Sequence, residues 1–234
     1  MNLTTWKLFS FALVVVLGAW PQAQAQDAKA PYPSMAPLDQ YLMERNAEID
    51  LARSAAPESI SRDAEVLVLG RHGYETAVKG QNGFVCVVER SWASEFNDPE
   101  FWNPKLRAPT CFNPAAARSH LPITFKRTEL ALAGLSEAQM LDSIKTAFDK
   151  KELPTPEPGG MCYMMSRQAY FGSFYGRGVP HLMFYLPQTD GTAWGAGLPG
   201  SPVMVHQDAP DRLTVLMIPV GKWSDGTAAP TDFH

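Results

Sequence analysis

Between Glu65 and Arg90 the chain consists of short runs that favour extended backbone, separated by glycine-bracketed turns. Glu65 to Leu69 is a valine and leucine run closed by Gly70-Arg71-His72-Gly73. Tyr74 to Lys79 alternates in character, and Gly80-Gln81-Asn82-Gly83 leads into Phe84 to Arg90. β-Branched and aromatic residues suit a pleated, half-buried surface. Asn-Gly between two such runs signals a hairpin, because both residues accept positive φ. The expectation is a three-stranded antiparallel meander, and with it a sheet as the organising layer of the fold.

Helical patterns flank this sheet. Leu38, Tyr41, Leu42, Ile49 and Ala52 share a helical face, which predicts a helix from Leu38 to about Ala55, capped by Ser34 and stopped by Pro57. Asn113-Pro114 reads as an N-cap with proline at the first helical position, and Gly134 as a helix stop. Ser136-x-x-Gln139 is a capping box ahead of Met140, Leu141, Ile144 and Phe148. Residues 93–112 hold three prolines with Phe96, Phe101, Trp102 and Phe112, and read as an irregular aromatic loop. After a proline- and glycine-rich crossing from Leu153 to Gly160, strand-like runs return at His181–Leu186, Val203–His206 and Arg212–Val220. The sum is an α+β fold: a single domain over residues 38–234, an antiparallel sheet of about five or six strands, and helices packed on it.

The first 25 residues place that domain outside the cytoplasm. Lys7, an apolar stretch from Leu8 to Trp20, and Ala23-Gln24-Ala25 follow one another as the three parts of a cleavable signal peptide. The stretch is shorter than the ~20 residues a membrane-spanning helix needs. Residues 26–37, with Pro31, Pro33 and Pro37, read as a flexible tether. Removing residues 1–25 with their one charge, Lys7, from a 234-residue chain at −4 leaves 209 residues at −5. Mild acidity without a basic cluster argues against nucleic acid and anionic membranes as partners. Cys86, Cys111 and Cys162 all lie in the processed region, so an oxidising compartment can pair two of them. The favoured pairings are Cys111–Cys162 and Cys86–Cys111.

Motifs for chemistry are sparse. Gly195-Ala-Gly197-Leu-Pro-Gly200 has dinucleotide-motif spacing but lacks the preceding strand and following helix that would aim backbone N–H groups at a pyrophosphate, so it reads as a loop. Gly172-Ser-Phe-Tyr-Gly176-Arg177-Gly178 is a second such loop, more suited to packing rings than to holding an anion. Alternation puts His181 and Met183 on one strand face, and Met204 and His206 on another. Were those strands neighbours, imidazole and thioether ligands would converge on a soft metal, with copper the alternative to having no cofactor. Cys162 with His181 is the candidate nucleophile pair. The carboxylates Asp208 and Asp211, and Glu95 and Asp98, fall in polar turns and read as loop residues.

The reading needing fewest coincidences is an exported domain that binds a small ligand or an envelope protein, with Trp102, Tyr175, Arg177 and Trp194 as candidate contacts. The alternative is a metal-binding or thiol-dependent enzyme built on Cys162 and His181.

Overall fold

A computed structural model of the chain describes residues 32–173 and 176–230. The stretch expected to be a signal peptide, the start of the expected tether and Tyr175 lie outside the described residues. Tyr32, Met35 and Ala36 already pack against the core.

In chain order the elements are α1 (Arg45–Arg53), α2 (Glu58–Ser61), β1 (Glu65–Gly70), β2 (Gly73–Val78), β3 (Val85–Glu89), β4 (Ala108–Phe112), α3 (Pro114–Ser119), α4 (Leu121–Leu132), α5 (Glu137–Asp149), β5 (Met161–Met164), β6 (His181–Pro187), β7 (Met204–Asp208) and β8 (Leu213–Pro219). One sheet of eight strands runs β2-β1-β3-β4-β5-β6-β8-β7. Every neighbouring pair is antiparallel except β1 and β3, which run parallel. The architecture is α+β with helices on a mixed sheet, larger than the five or six strands expected. The additions are β4, where Pro109 sits in what read as an irregular loop, and β5, a four-residue strand directly after a glycine pair. The β4–β5 ladder covers only Cys111 and Phe112, so Pro109 stands where β4 has a strand partner on one side alone.

The expected meander is corrected. β2 does fold back on β1 through Gly70 and Gly73, but β3 does not pair with β2. The segment between them crosses the start of β1 instead and enters the sheet on its far side. The backbone N–H groups of Gln81 and Asn82 donate to Asp63 O at 2.8 and 3.3 Å, and Glu65 N donates to Phe84 O at 2.8 Å. A Cβ on Gly80 would stand 2.7 Å from the Ala64 carbonyl carbon and closer still to Glu65 N, so only glycine permits this crossing. Burial explains the order. β3 is buried along almost its whole length and suits the interior, whereas Glu75 and Thr76 of β2 are exposed and suit an edge.

The N-terminal helix is likewise shorter than its periodicity implies. A single 3-10 turn at Leu38–Gln40 precedes α1, which begins only after Glu44, whose carboxylate caps it from Ala47 N at 2.8 Å. α1 lays Leu51 and Ala52 over Val66, Val88 and the Cys86–Cys111 pair. These cysteines stand opposite one another on β3 and β4, 4.0 Å apart between Cα atoms, and form a disulfide. It is one of the two pairings favoured from sequence. The opposite face carries the larger core, where Leu121, Ile123, Leu130, Met140, Ile144 and Phe148 of α4 and α5 meet strand residues from Leu67 to Val215. The capping box of α5 is present as read, with Ser136 and Gln139 engaging each other's backbone.

Candidate functional site

The third of the sheet formed by β6, β8 and β7 gathers most of the chemistry. β8 lies between the other two, so the strands carrying the expected metal ligands are not neighbours. His181 aligns with Pro219 and His206 with Val215, four residues apart along β8 and two strands apart across it. Standard strand spacings put their Cα atoms about 16 Å from each other. The imidazoles do not converge. His181 is buried against Phe171 with Nδ1 2.7 Å from Val179 O, and burial lowers its pKa while that hydrogen bond opposes the shift. Met183 and Met204, by contrast, both stand opposite Met217.

Near the end of β7 a polar cluster forms that the sequence reading passed over. Arg127 projects from α4 and is almost wholly buried. Its guanidinium donates to Asp211 Oδ2 at 2.8 Å and to the carbonyls of Ser94 and Trp92 at 2.6 and 3.3 Å, and it lies 4.3 Å from the centre of the Phe96 ring. Asp208 stands beside this pair at 3.9 Å and holds Asp211 N through its own Oδ1. Burial, with Arg127 opposing and Asp208 reinforcing, raises the Asp211 carboxyl to about 6. His206 adds Nδ1 at 3.2 Å from Glu95 Oε1. Arg127 Nε, Asp211 Oδ1 and His206 Nε2 are buried without a hydrogen-bond partner, three of six such side-chain atoms among the described residues. Of the carboxylates read as loop residues, Asp211 is therefore buried against a cation. The available signal was Arg127 itself, a cation at a position of α4 shared with Ile123, Leu130 and Ala131, which a fold must neutralise on burial.

Cys162 lies on the helix-covered face of β5 and is fully buried. It stands opposite Met183, and His181 is opposite Met164 two residues further on, so thiol and imidazole are in separate rows. The hydroxyl of Tyr185 donates to Cys162 Sγ at 3.1 Å, and burial pushes the thiol far above its ordinary pKa. A protonated, enclosed thiol is a poor nucleophile. Tyr185 in turn stacks on His120, ring centres 3.8 Å apart. Burial, aided by Arg127, depresses His120 to about 3, and its Nδ1 has no partner. Beneath α4, Glu89 accepts from the Thr110 and Thr124 hydroxyls at 2.8 and 2.7 Å, and burial raises its pKa.

The aromatic contacts expected for a ligand divide sharply. Trp102 is in the core, edge-on to Phe101, with its carbonyl accepting from Tyr41 at 2.7 Å. Phe96, Phe101 and Phe112 are also interior, so this segment is core and not a lid. Arg177 is exposed in a turn where a Cβ on Gly178 would lie 2.8 Å from the Phe171 ring; glycine lets that ring pack. Trp194 ends a 3-10 turn at Gly191–Trp194 and is 54% exposed. Leu198 at 57%, with Met204 and Val205 at 41% each, lies in the same loop and on β7. The loop packs closely there, since a Cβ on Gly191 would sit 2.6 Å from Val205 Cγ2. Glycines 195, 197 and 200 turn this loop, and no helix follows them.

Shallow clefts of about 300 Å³ lie between α4 and α5 and beside Leu67, Tyr74 and Phe125. Among the described residues no three His, Cys, Asp or Glu side chains are grouped to hold a metal ion, and no helix is long and apolar enough to cross a membrane. No family model, curated protein or solved structure matches the chain.

Proposed function

We propose that the chain is an exported binding module whose partner is a polypeptide taken up along the β7 edge and its preceding loop. The observation that carries this reading is a concentration of exposed apolar surface. Of five large hydrophobic side chains that are exposed among the described residues, Trp194, Leu198, Met204 and Val205 lie on one loop and the strand it leads into. β7 is also the last strand of the sheet, with a ladder to β8 on one side only. Natural proteins blunt such edges with charge, proline or a covering segment, and an apolar edge left open is a template for strand addition. Exposed apolar patches of this kind mark interaction sites. Main-chain hydrogen bonds would supply affinity, and Trp194, Leu198 and Val205 would select alternate apolar side chains of the partner. Export is supported by the signal-like N-terminus and by the Cys86–Cys111 disulfide, which suits an oxidising compartment. A polypeptide is favoured over a small ligand because the aromatic loop that would have lined a pocket is core.

Panning a displayed library of extended peptides against the purified chain tests this. Enriched peptides are expected to protect the amides of Met204–Asp208 from hydrogen exchange and to bind Val205→Lys at least ~10-fold more weakly, since an edge lysine disfavours pairing. Peptides that protect another surface, or that ignore the substitution, would overturn the assignment.

A further inference from the structure

The register of the last four strands aligns sulfur atoms in a way the sequence does not announce. Cys162 on β5 stands opposite Met183 on β6, Met183 opposite Met217 on β8, and Met217 opposite Met204 on β7. Directly opposed residues in antiparallel strands share a face, so all four side chains leave the sheet on the helix-covered side. Exposure rises along the row: Cys162 is enclosed, Met183 and Met217 are half-buried, and Met204 is open to solvent. From this placement we infer that Met183, Met217 and Met204 form a thioether site for a soft monovalent cation, copper(I) being the natural occupant and silver(I) its redox-inert equivalent.

Three physical arguments support the assignment. Opposed Cβ atoms lie about 4.5–5.5 Å apart, and the three rotatable bonds of methionine let neighbouring sulfurs turn toward a common point above the middle strand. Thioethers are neutral and soft, so they favour a polarisable ion of low charge over zinc, calcium or magnesium, which need the nitrogen and carboxylate groupings that are absent among the described residues. Unlike thiolates, thioethers need no deprotonation and cannot be consumed by disulfide formation, which suits a site in an oxidising compartment. A nitrogen donor is at hand as well. His206 follows Met204 by two residues on the same strand face, and its Nε2 is buried with no partner. Cys162 is not part of the set, because its sulfur is held by Tyr185 and its proton is retained. The site shares Met204 with the partner-binding surface but does not depend on that reading.

The test uses chain labelled with ¹³C at the methionine methyls, with signals assigned by single Met→Leu variants and silver(I) as the probe. One equivalent is expected to shift the methyls of Met183, Met204 and Met217 and to leave that of Met140, in the α5 core, unmoved. Met217→Leu, which removes the central sulfur while conserving bulk, is expected to weaken copper(I) at least ~10-fold in anaerobic competition with a chromogenic chelator. Zinc(II) should move none of the three. Silence of these methyls at one equivalent overturns the inference. So does binding that survives Met217→Leu undiminished, since the central sulfur would then not hold the ion.

Discussion

Burial moves the titrations of His120 and Asp211 in opposite directions from their values in water, and their effects on stability oppose one another. His120, depressed to about 3, stays neutral in the fold while the unfolded chain takes up its proton near 6.5. Its contribution is therefore complete above pH 6.5 and is lost as pH falls from there toward 3, at up to ~1.4 kcal/mol per pH unit. Asp211, raised to about 6, contributes most below its unfolded value near 3.8 and loses that contribution as pH rises through 6. Glu89, also raised, acts in the same direction as Asp211. Replacing His120 with Phe keeps a ring against Tyr185 and removes the imidazole. Urea unfolding between pH 6.5 and 4 is expected to show the variant gaining stability relative to the native chain at each acid step. Parallel curves would refute the burial of a neutral imidazole. None of this was legible from sequence. Asp208 ends β7 and Asp211 lies in the turn that follows, and only the arrival of α4 buries Asp211 against Arg127. The same holds for Cys162: its thiol could be identified, but the neighbour that decides its chemistry is Tyr185, 23 residues away.

At the scale of elements, much of what could be read locally is present, the single helix from Leu38 to Ala55 excepted, whereas the strand order departs from the expected meander. The capping box of α5, the Asn113-Pro114 start of α3 and the strand character of β1, β2, β3, β6, β7 and β8 follow from residues within a few positions of each other. The partner of β3 does not. An Asn-Gly turn between two strand-like runs has a local preference for a hairpin, yet burying Val85–Glu89 between two strands outweighs it. The crossing that results depends on Gly80. Gly80→Ala forces a methyl into the Ala64–Glu65 backbone, which cannot yield as a side-chain tip would. Overpacking of this kind costs about 1–3 kcal/mol, with β1, β2 and β3 losing hydrogen-exchange protection together. A variant as stable as the native chain would show that the loop has another route. The two imidazoles on β6 and β7 are kept apart for the same reason: alternation fixed the faces, but β8 enters between the strands and brings Met217, which no local pattern linked to either.

For the whole molecule, the sheet is unevenly finished. α1 covers β1, β3 and β4 on one side, α3 to α5 cover the other, and the Cys86–Cys111 disulfide ties the covered half together. The far edge ends in β7, where Val205 is exposed near Trp194 and Leu198 of the preceding loop, with Pro202 ahead of the strand and Asp208 at its end. A stable half built to carry an exposed apolar edge is the arrangement expected of a module that receives another chain. The most direct measurement places a photoreactive benzophenone side chain at Leu198, at Val205 and, as control, at exposed Lys145 on α5, in the full gene product made in cells that export it. The account predicts a covalent adduct with one defined polypeptide from positions 198 and 205 and none from 145. No adduct from either edge position, or the same adducts from all three, would contradict it.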